Sequence, residues 1–530
     1  MAAALVATGC GGGNDSGGTG GRIELVSALP RATQRVDLVK WALPFGEPLT
    51  LDPTKAFGES EETVVSNLCE GLLRIGPDFS VRPGLATSAD WTDATTFVIK
   101  LRSGVRFWDG TPMTADDVVH SMERNVDPKV QGAYGAVYRR VESFRKTGPL
   151  QVTVKFKQHD AQFRNAIASH GGAVVQKAFA AKAGKGFGTP AGGVMCTGPY
   201  RLVKWSPGDK ITVAGNDGYW GGAPKVGTLD FRFITDSSTL TSALLAGEVD
   251  GTFNAPVESA KAFTNSGQGT LWVGPSSMFI GFFPTTPHGP AADAKVRQAL
   301  NLAINKEAFI KNVLRGYGQP LKTMTPPIVW QSIPGHEIYQ SAYDRLPGNA
   351  HDLTKAKALI AEAKPSKKTL VFAAKGGDTL AVQSATLVQA AARELGFDAK
   401  IKTLQPTDFD AFFFDQNKRE SVDFVISPGW IEVPGALYYA PEYALKTGFF
   451  NYSKYDNPRV TKLLDDARAS TDPNKTAQLF SEAQAIFAPD QLMATIATNY
   501  SRVFLNKRLT GVTTSSAFLT SPWAASLGGK

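Results

Sequence analysis

Along the first half of the chain, apolar and polar residues alternate in short runs separated by turn-forming residues, the period-two pattern of half-buried strands. RVDLVKWALP (35–44) reads as one strand and LQVTVKF (150–156) as another. Phe97, Ile99 and Leu101 alternate with Val98, Lys100 and Arg102, and the alternation resumes at Val105 and Phe107, which predicts an antiparallel hairpin ended by Asp109-Gly110. Thr114 is placed to cap a following helix, with Asp117 three residues on as a first-turn carboxylate and Val118, Val119 and Met122 as its apolar face. A turn-rich segment leads into a helix that starts near Glu61 and Glu62 and carries Val64, Val65 and Leu68 on one side. YRLVKWSPGDKITVAG predicts a hairpin turning at Pro-Gly-Asp, TLDFRFI a strand, and STLTSALLAGEVDGTF a helix closed by Gly247 and followed by a short strand.

From residue 293 the period changes to that of helices. Val296, Ala299, Leu300, Ala303 and Ile304 form one face, extended by Phe309, Val313 and Leu314 until Gly316 and Gly318 stop the helix. DLTKAKALIAEA, AVQSATLVQAAAREL and PRVTKLLDDARAS are further amphipathic helices, with strands TLVFAA and DFVISPGW between some of them. The fold class is α/β, without an evident repeat. A chain of 530 residues exceeds one ordinary core, so two or three lobes are expected, and the Gly-rich AGKGFGTPAGGVMCTGPY (183–200) is a candidate crossing between them.

Composition narrows the classes. The chain is 42% hydrophobic and 20% charged, with no apolar run long enough to span a bilayer. Its net charge of +8 is spread along the chain rather than gathered on one element, which argues against a nucleic-acid partner. The first residues, MAAALVATGCGGGNDSGGTGG, combine a short apolar run, small residues up to Cys10 and a Gly/Ser tract that behaves as a tether. This resembles the end of a bacterial lipoprotein signal, although no Lys or Arg precedes the apolar run and Ala7 stands where Leu is usual; the alternative is an unstructured start with a chance cysteine. Lipidation of Cys10 would anchor the chain to the outer face of the bacterial membrane. In an exported protein the remaining Cys69 and Cys196 are a plausible disulfide, with two free thiols as the alternative.

Local signatures of catalysis are missing. The histidines at 120, 159, 170, 288, 336 and 351 stand alone, without the paired spacing of a metal site. There is no G-x-S-x-G and no phosphate-binding loop, and GKGFG (184–188) is too short for a dinucleotide fingerprint. Asp109, Asp116 and Asp117 have structural explanations as turn and first-turn residues. No catalytic residue, metal or cofactor is assigned.

Five segments, in order, resemble one family: LDPTKAFGESEETVVSNLCEGLL, FVIKLRSGVRFWDGTPMTADDVVHSMER, TGPYRLVKWSPGDKITVAGNDGYWGGAPKVGTLDFRFI, ALLAGEVDG and DAKVRQALNLAINKEAFIKNVLRGYG. The family is the oligopeptide/dipeptide type of extracellular solute-binding proteins, family 5, which serve ABC importers. The resemblance implies a periplasmic-binding-protein-like clamshell of the three-domain type. Residues 1–35 would be signal remnant and tether; 36–73, 191–291 and 486–530 lobe I; 74–190 an inserted domain II; and 292–485 lobe III. It implies a monomer, not an enzyme, that captures oligopeptides in the interlobe cleft and delivers them to the permease.

The family also implies where solute would touch. In oligopeptide-binding members a strand ending in Gly-Trp lines the cleft and an Asp three residues past the Trp meets the peptide amine. Here Gly429 and Trp430 match, but the Asp position is Val433, and Glu432 lies one residue earlier. Glu432 either takes over the amine contact or faces solvent. Glu61 and Glu62 would face the cleft, with an acidic first helical turn as the alternative. Phe253, Asn254, Met278 and Phe279 would form the opposite wall, or be ordinary core. Lys418 and Arg419 lie near where members place a cation for the peptide carboxylate, or are a solvated surface pair. A non-peptide solute (an oligosaccharide, a metal chelate or a small metabolite), a secreted hydrolase and a signalling receptor are the rival readings.

Overall fold

The computed structural model describes residues 23–530, so Cys10 and its tether lie outside the described residues. Three lobes are built around three sheets. The first sheet has seven strands, with Val36–Leu43 near its centre, paired in parallel with Val226–Phe233 and with Gly251–Thr252. That strand is buried on both faces. Val39, Trp41 and Leu43 enter one core, while Ala42 meets Leu240 and Leu244 of the helix Ser237–Ala246 on the other. The second sheet has six strands, with Phe424–Gly429 between Phe279–Pro284 and Thr369–Lys375.

The chain passes between these sheets twice. Gly269–Gly274 belongs to the first sheet and Phe279–Pro284 to the second, so residues 275–278 are one crossing. Ala494–Asn499 belongs to the second and Ser501–Asn506 to the first, so Tyr500 is the other. The lobe boundaries expected at 291 and 486 therefore move to about 277 and 500, because backbone pairing assigns both flanking strands to lobe III. The Asn499 N–H donates to the Met278 carbonyl at 3.1 Å, which binds the two crossings side by side.

Domain II is a four-stranded antiparallel sheet, in the order Ala86–Asp93, Thr96–Leu101, Gln151–Phe156, Val141–Gly148, with the helix Ala115–Val126 against it. The Asp117 carboxylate accepts from the Thr114 N–H at 2.9 Å and hydroxyl at 2.6 Å, so the helix starts where the Thr-x-x-Asp spacing placed it. The hairpin joining Phe97–Leu101 to Val105–Phe107 does not form. Phe107 N–H bonds Thr111 O and Met113 N–H bonds Val105 O, so that alternation folds on itself around Asp109-Gly110, and Thr96–Leu101 pairs with its other neighbours. The helix expected from 293 to 314 is two, Ala294–Ala303 and Lys306–Asn312. Asn305 divides them, its side chain accepting from the Ala308 N–H at 2.9 Å.

Cys69 and Cys196 are joined in a disulfide across the two chain segments that lead into and out of domain II. Trp108 closes over this base, its indole N–H donating to Gly198 O at 3.2 Å. At its far side domain II rests on lobe III. Arg468 pairs with the fully buried Asp160 at 2.7 Å, and the Gln162 and Asn165 amides donate to Pro434 O at 3.1 and 3.0 Å. Asp160→Asn leaves a largely buried guanidinium without its charge partner and is expected to cost about 3 kcal/mol. An unchanged chemical-denaturation midpoint for this variant would show that the pair makes no net contribution.

Candidate functional site

The helix Glu59–Leu68 of lobe I begins with Glu59, Glu61 and Glu62, where carboxylates suit the positive end of the helix. Residues chosen only for that purpose stay in water, but these are 8%, 7% and 0% exposed. Lobe III covers them with the loop that follows the strand Phe424–Gly429, bringing Trp430 against the lobe I core and Glu432 opposite Glu62. Domain II adds Tyr134. The three lobes are thus closed over this point.

Each acid has its own surroundings. Glu61 Oε1 accepts from the Leu49 N–H at 2.6 Å, bracing the loop before the helix. Glu59 Oε1 accepts from Asn254 Nδ2 at 2.6 Å; burial, with Asp378 nearby, pushes its carboxyl up to about 8 against that bond and the Arg502 guanidinium. Neither Glu62 oxygen receives a hydrogen bond from a backbone N–H, hydroxyl or cationic donor, and the group within hydrogen-bonding reach of it is the Glu432 carboxyl. Burial first, then the facing Glu432 carboxyl, hold Glu62 well above the usual carboxylate range. Burial also raises Glu432, against the opposing pull of Glu62, Tyr134 and Tyr438, whose hydroxyl donates to Glu432 Oε2 at 3.4 Å. Among the described residues no lysine or arginine forms an ion pair with Glu62 or Glu432.

The other expected residues divide by place. Asn254 lines this region in the left-handed conformation (φ 49°), directly before Ala255, whose carbonyl accepts from Arg502 Nε at 3.1 Å. Phe253 lies in the lobe I core, stacked on Phe518 at 3.7 Å and tilted against Trp41, rather than on a cleft wall. Met278 is a buried crossing residue, and Phe279 packs on Tyr439. Gly429 pairs with Phe279, and a Cβ there would stand 2.7 Å from that ring, so the strand end requires glycine. Lys418 and Arg419 precede the far end of the strand Phe424–Gly429 and are not brought to the carboxyls. Lys418 pairs with Asp408 on the surface, and Arg419 donates to the Phe412 and Phe413 carbonyls above the Tyr452 ring. Val433, at the position of the family Asp, is fully buried in the domain II core, whereas Glu432 is turned inward rather than to solvent.

Glu59, Tyr134, Asp378, Tyr438 and Arg502 join the site without having been singled out in the sequence. A lone arginine beside the apolar Val503, Phe504 and Leu505 was the one available signal, since a cation in a buried strand needs internal acceptors. Arg502 finds them in Asn499, Tyr500 and Ala255 at the crossing. Among the described residues no group of His, Cys, Asp or Glu is disposed to hold a metal ion.

The raised Glu59 carboxyl has a stability consequence. Its folded-state value of about 8 exceeds the unfolded 4.5, so the folded protein keeps the proton through that window and this group's contribution to stability falls as pH rises from about 4.5 to 8. Glu59→Gln, which keeps the acceptor for Asn254, should melt higher than the unaltered protein at pH 8 and equally at pH 4.5. Equal differences at both pH values would show that Glu59 titrates normally.

The sequence matches the model of the family described as bacterial extracellular solute-binding proteins, family 5 Middle, over residues 80–451. The chain belongs to this family. It is 28% identical over 446 residues to the glutathione-binding protein GsiB of Escherichia coli K12, covering 82% of this chain and 84% of that protein. Solved structures share the fold. The binding protein AgaA of A. tumefaciens R10, in complex with agropinic acid, superposes with a TM-score of 0.81 at 23% identity, over 93% of this chain and 98% of that one. The oligopeptide-binding protein AppA of Bacillus subtilis, in complex with a nonapeptide, gives 0.80 at 20% identity, over 93% and 97%. As a family 5 protein the chain is the extracytoplasmic solute-binding component of an ABC importer, with the mixed α/β clamshell of its relatives. Among the described residues no helix is long and apolar enough to cross a membrane.

Proposed function

We propose that this protein captures small peptides or peptide-like solutes by a free amine and delivers them to its permease as a monomer, held to the outer face of the membrane through Cys10. The observation that carries this reading is the facing of Glu62 and Glu432 from opposite lobes, buried and without an ion-pair partner among the described residues. Two carboxyls buried together between lobes form a strong site for an ammonium group, whose charge offsets both and whose N–H donors fill their lone pairs. Tyr134, Tyr438 and the half-buried Trp430 supply the aromatic faces that suit a cation. Because the anchoring groups come from two lobes, a solute bridging them favours the closed form that a permease recognises.

A second reading keeps the amine and changes the rest of the solute. It is favoured by the displacement of the carboxylate from position 433 to Glu432, which alters the approach of the group it holds. The peptide reading is tested by isothermal titration with tri-alanine and N-acetyl-tri-alanine, together with native mass spectrometry of the protein as purified. Tri-alanine is expected to bind intact and its acetylated form to bind weakly. A co-purifying solute without a cationic group, or cleavage of the peptide, would overturn the reading.

A further inference from the structure

Glu62 and Glu432 are brought together by elements that do not share a sheet, one from the first turn of a lobe I helix and one from a lobe III loop. The groups that act on Glu62 from its own helix are Glu59 and Glu61; from domain II comes Tyr134, and from the lobe III loop Glu432 and Tyr438, with Glu442 behind Tyr438. These are acids or phenols, and beyond them the Arg502 guanidinium, Lys375 and Asp378 act on the adjoining Glu59. Two ionised carboxylates facing each other at full burial repel and lack the water that would separate their charges. A single proton between them relieves both problems.

Resting on the amine reading above, we propose that Glu62 and Glu432 hold one proton between them in the solute-free protein, and that a primary ammonium replaces it. The exchange balances. The solute enters as R–NH3+ and stays protonated, the carboxyl O–H breaks, and its proton passes to buffer. The pair goes from one negative charge, with a shared proton, to two negative charges and one bound positive charge, so the net charge of the pocket is unchanged. Solutes without a cation gain nothing from this exchange. A cation arriving at low pH must compete with the proton, so capture tightens about tenfold per pH unit below the upper titration of the pair and levels off above it.

The test has two parts. In the solute-free protein labelled with δ-13C glutamate, two carboxyls are expected to titrate above the ordinary glutamate range and to be assigned by their loss in Glu62→Gln and Glu432→Gln. Each substitution should also lower the titration of the surviving partner. Both carboxyls titrating in the ordinary range overturns the proposal without reference to any ligand. Titration calorimetry with tri-alanine near pH 6, in buffers of different ionisation enthalpy, then counts protons. Release of close to one proton per peptide, reduced by at least half in Glu432→Gln, supports the exchange. Binding with buffer-independent heat overturns it. A pair that titrates high while tri-alanine fails to bind supports the shared proton and removes the peptide reading instead.

Discussion

Replacing Glu432 by Gln is expected to weaken tri-alanine binding by about 30-fold or more and to change N-acetyl-tri-alanine by less than about threefold. The estimate follows from removing one charge of a buried, hydrogen-bonded pair, which costs roughly 2 kcal/mol or more, at 1.4 kcal/mol per factor of ten. Gln keeps the volume and an acceptor for Tyr438, so the loss reports charge rather than packing. The contrast between the two peptides separates a role at the amine from a general effect on closure, because loop damage would weaken both alike. Equal losses, measured by calorimetry, would remove Glu432 from the solute.

The second large effect is expected at the disulfide. Cys69 and Cys196 are 127 residues apart, and the loop they close contains domain II almost entirely. Opening a loop of that length releases unfolded-state entropy worth about 4–5 kcal/mol on the loop-closure argument. Both residues are almost fully buried, so serine substitutions also bury two hydroxyls. The double variant Cys69→Ser, Cys196→Ser should lose about 3–5 kcal/mol, with domain II unfolding first. Coincident midpoints for the variant and the unaltered protein in chemical denaturation would show that the bridge stabilises nothing.

Much of the fold was legible because local signals and tertiary pairing agree. The Thr114-x-x-Asp117 cap, the glycine closing the helix at 247 and the Pro-Gly-Asp hairpin each fix their element through contacts within a few residues. The sequence misled where a local signal had two outlets. Val105 and Phe107 alternate as strand residues do, yet the Asp109-Gly110 turn pairs them with their own successors. The helical period from 293 continues through Asn305, whose side chain satisfies a new helix start and breaks the old one. At the site, family spacing pointed to Gly429, Trp430, Glu432 and the first-turn glutamates, and the structure gathers most of these in one place. It does not gather Phe253, Phe279, Lys418 or Arg419 there, because side-chain alternation and surface charge do not reveal which partner a residue finds. Tyr134, Asp378 and Arg502 were invisible for a related reason, since three lobes distant in sequence must meet before their chemistry coincides.

The two crossings at 275–278 and at Tyr500 lie beside one another and share a backbone hydrogen bond. A double strap of this kind resists swivelling far more than bending, so the jaws are guided along nearly a single arc. Every stroke must then bring the same indole and the same acidic side chain of the upper jaw down on the same turn of the lower one. On the proposed capture by a free amine, cargo of different lengths would differ in where its tail lies while its head meets one seat.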